Sequence, residues 1–179
     1  DLQQQSAGYR TYLNETRRLL NEYADRVLAV SERVGKIAGD NGVHRDKLYT
    51  EYIGTRYALS TDLPVKPLVD DAICIAFLGY ASHEKGFFFL LECLQALPTE
   101  LTRKIHLVIA ARGETNWITP EVNTLGERFL SYKYYDGYEP DTLSEILAPV
   151  NLGLVPVLWE DNLPQVALEF VQQPQNALC

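Results

Sequence analysis

The chain has 179 residues, a formal net charge of −8, 46% hydrophobic residues and 22% charged ones, proportions of a globular protein with one domain or one domain and part of another. The acidic balance, with no Lys/Arg run, argues against a nucleic-acid backbone as partner, and no apolar run is long enough to span a bilayer or to mark a signal peptide. Cys74, Cys93 and Cys179 show neither metal-site spacing nor an even count, so reduced thiols in a cytoplasmic protein are expected. There is no methionine, and the sequence is therefore expected to be an excerpt of a longer protein.

Residues 9 to 24 carry Tyr9, Leu13, Leu20 and Ala24 on one helical face, with Arg17, Arg18, Asn21 and Glu22 opposite. Val27 to Val30 reads as a short buried strand. Ser31 is placed to cap the next helix, with Glu32 in its first turn, and that helix ends near Gly42. Leu48 to Ile53 is a second strand, closed by Gly54. Residues 57 to 71 are polar, proline-punctuated and aperiodic, a linker or hinge. An α/β alternation follows: strand Ile73–Leu78, helix Glu84–Leu97, strand Ile105–Ala110, helix Pro120–Phe129, strand Tyr132–Asp136, helix Pro140–Leu147. Such alternation builds a parallel sheet with helices on both faces.

The series ends on the most informative stretch. Leu152 to Leu158 reads as a buried strand running into the acidic loop Trp159-Glu160-Asp161-Asn162, and Pro164 starts a helix. A strand ending in a polar loop before a helix N-terminus is where open α/β sheets bind ligands. Asp161 and Glu169 are two carboxylates with seven residues between them. Taken alone, Glu169 also fits a solvated helix stripe with Gln165 and Gln172, while Val166, Ala167 and Phe170 face the core.

The acid-x7-Glu spacing resembles the donor-site motif of retaining group-1 glycosyltransferases with the GT-B fold. Other stretches match that family in order. "Phe77-Leu78-Gly79-Tyr80-Ala81-Ser82-His83-Glu84-Lys85-Gly86" is similar to its strand-Gly-Arg-loop-Lys-Gly motif, with Tyr80 where the family commonly has Arg. "Leu107-Val108-Ile109-Ala110-Ala111-Arg112-Gly113" stands where the family has a strand ending in Gly-x-Gly. "Tyr134-Tyr135-Asp136-Gly137-Tyr138" and "Asn151-Leu152-Gly153-Leu154-Val155-Pro156" match its later strands. Upstream, "Asp-Arg-Val-Leu-Ala-Val-Ser" resembles the end of its acceptor-binding domain. The resemblance covers residues 20 to 171; after Glu169 the family's remaining strands and crossing helix are not found.

The resemblance implies a GT-B-type, Rossmann-like doubly wound parallel sheet, incomplete here, with a partial second Rossmann-like domain. Residues 1–57 would be the tail of the acceptor-binding domain, 58–71 the hinge and 72–179 the nucleotide-sugar donor domain. The implied reaction transfers a sugar from a nucleoside-diphosphate donor to an acceptor hydroxyl with retention, as in polysaccharide biosynthesis. Asp161 and Glu169 are the implied catalytic-site carboxylates: Glu169 accepts from the ribose hydroxyls, and Asp161, with the amides of Asn162 and Leu163, holds the transferred sugar. A carboxylate, being acceptor-only, suits a vicinal diol. Lys85 contacts the diphosphate at the strand-loop turn of Gly79 and Tyr80, and backbone around Gly137 meets the base. Arg112 is expected, on the chain's own charge balance, to supply the cation that Tyr80 displaces. No cofactor or metal is expected: the histidines are scattered and no Asp-x-Asp motif is present. The expected partners are a nucleotide sugar and a glycan, lipid-linked or small-molecule acceptor, in the cytoplasm or at the membrane periphery. This chain alone is expected not to transfer sugar. A GT-B-fold nucleotide-sugar epimerase and a non-catalytic nucleotide-binding or interaction module stay open.

Overall fold

A computed structural model describes the backbone of residues 2–53, 67–68, 70–113, 115–159, 162, 164–172 and 176–178, and the side chains of 8–53, 67–68, 70–113, 120–159, 162 and 164–171. The chain divides into two compact units, Asp1–Gly54 and Thr55–Cys179. Gly54 and most of the expected hinge lie outside the described residues.

In the first unit, helix α1 (Leu2–Tyr23) leads to strand β1 (Val27–Ala29), helix α2 (Glu32–Asp40), a 3-10 turn (Arg45–Lys47) and strand β2 (Leu48–Thr50), parallel to β1. Helix α1 starts before residue 9 because the added residues include three glutamines, good helix formers. Ser31 caps α2 as its position predicts, its Oγ accepting from the Val34 N–H at 3.3 Å. The Lys47 ammonium donates to the carbonyls of Asn21 and Ala24 at 2.6 and 2.9 Å, satisfying acceptors at the end of α1. Strand β2 stops at Thr50 rather than Ile53, because β1 offers only three residues to pair.

The second unit is a five-stranded parallel sheet in the order β5-β4-β3-β6-β7. Its strands are β3 (Ile73–Tyr80), β4 (Ile105–Arg112), β5 (Ser131–Tyr135), β6 (Leu152–Leu154) and β7 (Asn176–Leu178). Between them run α3 (Phe87–Ala96), the short α4 (Thr99–Thr102), α5 (Thr115–Gly126), α6 (Pro140–Leu147) and α7 (Gln165–Gln172). Alternate residues of the central strand face opposite cores, as a strand buried on both sides requires. Ile75 and Phe77 pack with Phe87, Leu90 and Leu94 of α3 and Val122 and Leu125 of α5. Cys74, Ala76 and Leu78 pack with Leu143, Ile146 and Leu147 of α6 and Phe170 of α7. The sheet is doubly wound, and the strand order reverses between β3 and β6.

Several elements of this unit differ from their sequence-based reading. Helix α3 starts at Phe87, not Glu84, because Gly86 is left-handed (φ +70°) and residues before it form a turn closed by the Gly86 N–H on the His83 carbonyl. Helix α5 starts at Thr115 and carries Pro120 inside it, giving up one helical hydrogen bond there. Strand β6 ends at Leu154; Pro156, with no N–H to give a ladder, lies in the loop beyond. Strand β7 pairs with β6 in a segment where no strand was expected. Its Asn176–Leu178 backbone extends the sheet by one strand.

Candidate functional site

The C-terminal ends of parallel strands carry the loops that reach a ligand, and the reversal between β3 and β6 opens a crevice there. Strands β3 and β4 run in register to their last residues, Gly79 opposite Ala111 and Tyr80 opposite Arg112. Beyond β5 the chain turns at Gly137, whose N–H donates to the carbonyls of Ala111 (3.2 Å) and Tyr135 (2.9 Å). Gly137 is left-handed (φ +77°) and lies against Arg112, whose Nε would be 3.0 Å from an added Cβ. These strand ends line a cleft of about 200 Å³ bounded by Gly79, Tyr80, Arg112, Gly137, Tyr138 and Pro140. Two larger cavities lie elsewhere. One, of about 550 Å³, runs between α3 and α5 beside Phe88, Leu91 and Leu125. The other, of about 560 Å³, lies around the opposite strand ends at Cys74, His106 and Ser131. Neither gathers polar groups at the C-terminal edge, so the smaller cleft is the candidate.

Glu169 reaches this edge from α7. Phe170, the next residue, is fully buried, and its ring lies on Gly153 of β6, with Cγ only 2.2 Å from where a Cβ would be. That contact seats α7 on the sheet and fixes where Glu169 starts. The Tyr138 Oη donates to Glu169 Oε2 at 2.6 Å. Burial pushes the Tyr138 phenol well above its ordinary range, and the Glu169 carboxylate and Tyr80 add to that, with Arg112 opposing. The phenol is therefore a donor at any ordinary pH. Arg112 Nη2 donates to Glu139 Oε1 at 2.9 Å, an exposed pair at the cleft mouth.

Lys85 sits apart from the cleft lining. It lies in the turn before Gly86, rather than inside a helix, and its ammonium is 5.8 Å from the Trp159 ring centroid, within cation–π range. The loops after β3 and β6 meet here: the Leu158 N–H donates to the Glu84 carbonyl at 3.2 Å, and an added Cβ on Gly86 would be 1.8 Å from the Pro156 oxygen.

Of the sequence-predicted residues, Gly79, Tyr80, Arg112 and Gly137 share one cleft, and Glu169 joins it through Tyr138. Lys85 forms a separate cluster with Trp159. Asn162 is exposed in the loop before α7, while Asp161 and Leu163 lie outside the described residues. Tyr138 and Glu139 were not singled out from the sequence. The one available signal was a polar-tipped aromatic directly after a strand-end glycine.

Several solved structures share the fold. HepE (Alr3699) of Anabaena, solved with UDP and glucose, is 17% identical, with a TM-score of 0.69 over 93% of this chain and 47% of its own. WaaG, a glycosyltransferase involved in lipopolysaccharide biosynthesis, is 16% identical, with a TM-score of 0.69 over 99% of this chain and 50% of its own. The UDP-forming α,α-trehalose-phosphate synthase of Burkholderia vietnamiensis is 18% identical, with a TM-score of 0.65 over 92% and 47%. The chain thus spans about half the length of the structures it matches. No protein-family model matches it, and no curated protein matches it in sequence. The architecture is the Rossmann-like one of GT-B glycosyltransferases, with parallel sheets that are incomplete in this chain.

Proposed function

We propose that the chain is the nucleotide-sugar-binding part of a retaining glycosyltransferase, transferring a sugar from a nucleoside diphosphate to an acceptor hydroxyl. The observation that carries this reading is a half-buried carboxylate, Glu169, held at 2.6 Å by Tyr138 beside a cleft of strand ends. The fold is one in which HepE was solved with UDP and with UDP-glucose. In this reading Glu169 accepts from the ribose hydroxyls, and backbone at Gly137 and Gly79 faces the nucleotide. Asp161 and the amides of Asn162 and Leu163 hold the sugar. Lys85, with Arg112 after release from Glu139, meets the diphosphate charge, so that positive side chains and loop amides stabilise the leaving group without a metal ion. Residues 1–57 serve as the tail of an acceptor-binding domain, 58–71 as the hinge and 72–179 as the donor domain. The acceptor is a glycan, a lipid-linked sugar or a small molecule, met in the cytoplasm or at a membrane surface. Among the described residues, no helix is long and apolar enough to cross a membrane.

The test is calorimetry of the chain with UDP and with uridine, in the presence of a chelator. Micromolar binding of UDP, much weaker binding of uridine and no effect of the chelator are expected. Loss of the diphosphate preference in Lys85→Ala and in Arg112→Ala would assign both cations. Equal affinity for UDP and uridine in the unmodified chain would contradict the reading.

A further inference from the structure

We infer that Tyr138 is a positioning residue that fixes the Glu169 carboxylate and thereby sets a preference for ribonucleotides over nucleotides lacking the ribose hydroxyls. This rests on Glu169 being the ribose ligand. Tyr138 and Glu169 are 31 residues apart, on the loop after β5 and on α7, and they meet through one short hydrogen bond. The Tyr138 ring and the backbone at Glu169 are each anchored independently of that bond. The Tyr138 ring packs on the core beneath α6 and α7, behind the turn tied by the Gly137 N–H. Glu169 is held by its neighbour Phe170, buried on Gly153. The bond therefore ties the Glu169 side chain, which rises from a seated helix, to a ring that is itself packed in place.

The donor and acceptor counts fit the role. A phenol has one O–H to give, and here it goes to Oε2. A carboxylate offers about four lone-pair sites. Three stay available, including both on Oε1, and a vicinal diol needs two. The phenol thus halts rotation of the carboxylate without using up its capacity for hydroxyl groups. Without it, Glu169 would have to be ordered by the nucleotide at the moment of binding, which lowers affinity only for ligands that use the carboxylate. A brace that merely held loop to helix would affect all nucleotides alike.

The test compares UDP with its 2′,3′-dideoxy analogue by calorimetry on the unmodified chain, on Tyr138→Phe and on Glu169→Ala. Tyr138→Phe is expected to weaken UDP about 3–10-fold, the scale of one hydrogen bond, and to leave the dideoxy analogue within about twofold of its original affinity. Placing 4-aminophenylalanine at 138, which keeps a donor, should restore the preference. Placing 4-methylphenylalanine there, which keeps only the bulk, should not; this pair decides the matter if Tyr138→Phe does not fold. If Glu169→Ala abolishes the preference while Tyr138→Phe leaves it intact, the inference is overturned and the ribose reading stands. If Glu169→Ala leaves the preference intact, or the unmodified chain has none, both fall.

Discussion

Two regions of the same sheet edge are built in opposite ways. Where the loops after β3 and β6 meet, backbone touches backbone: Gly86 lies directly on the Pro156 carbonyl, and Leu158 donates to Glu84. Where the ends of β4 and β5 meet α7, side chains make the contacts: Arg112 with Glu139, and Tyr138 with Glu169. The first region has no room to adjust, whereas the second can rearrange its exposed pair without moving the chain. The difference teaches that Lys85 is carried on a rigid turn, while Arg112 sits on the adjustable side of the edge, paired to a residue it can leave.

Glycine substitutions separate the two constructions most strongly. Gly86→Ala meets a left-handed backbone and a carbonyl oxygen 1.8 Å from the new Cβ, neither of which can yield cheaply. A loss of about 3 kcal/mol or more in urea unfolding is expected. Gly137→Ala carries a similar φ, but of its new neighbours the Arg112 Nε at 3.0 Å can swing away and the Arg112 Cβ at 3.3 Å needs only a slight shift. Its cost is expected to be the backbone term alone, about 1–2 kcal/mol. Equal losses at the two glycines would remove the contrast.

A smaller effect comes from pH. The folded Tyr138 phenol titrates above its unfolded value, so the stability it contributes is fully present below pH 10 and is lost as pH rises from there toward the folded value. Tyr138→Phe is expected to flatten the part of the alkaline loss due to this phenol. Identical alkaline unfolding curves for the two proteins would show that the phenol is no more buried or bonded than a surface tyrosine.

Much of this edge was legible from the sequence because strand ends are. The unbroken apolar run at Ile73–Leu78 requires a strand covered on both faces, and Pro140 marks the start of α6 to the residue. That order alone brings Gly79, Arg112 and Gly137 to one side of the sheet. What escaped the sequence was fine geometry. Gly86 read as part of a helix-opening motif, although its left-handed turn keeps Lys85 out of the helix. Pro120 read as a helix start, although the helix runs through it, and Pro156 read as part of a strand that it helps to end. The Tyr138–Glu169 bond joins residues 31 apart, which no periodicity or spacing marks. The pairing of Arg112 with Glu139 was hidden for the same reason: Arg112 read as a diphosphate cation, and Glu139 becomes its neighbour only when β4 and β5 are set side by side.

The central claim is that Glu169 holds a ribose. Its most direct test is calorimetry of Glu169→Ala with UDP and with the 2′,3′-dideoxy analogue, alongside the unmodified chain. UDP binding should weaken by about 1.5–3 kcal/mol, the scale of hydrogen bonds to a charged group, while the analogue binds both proteins alike. An equal loss for both nucleotides would contradict the account.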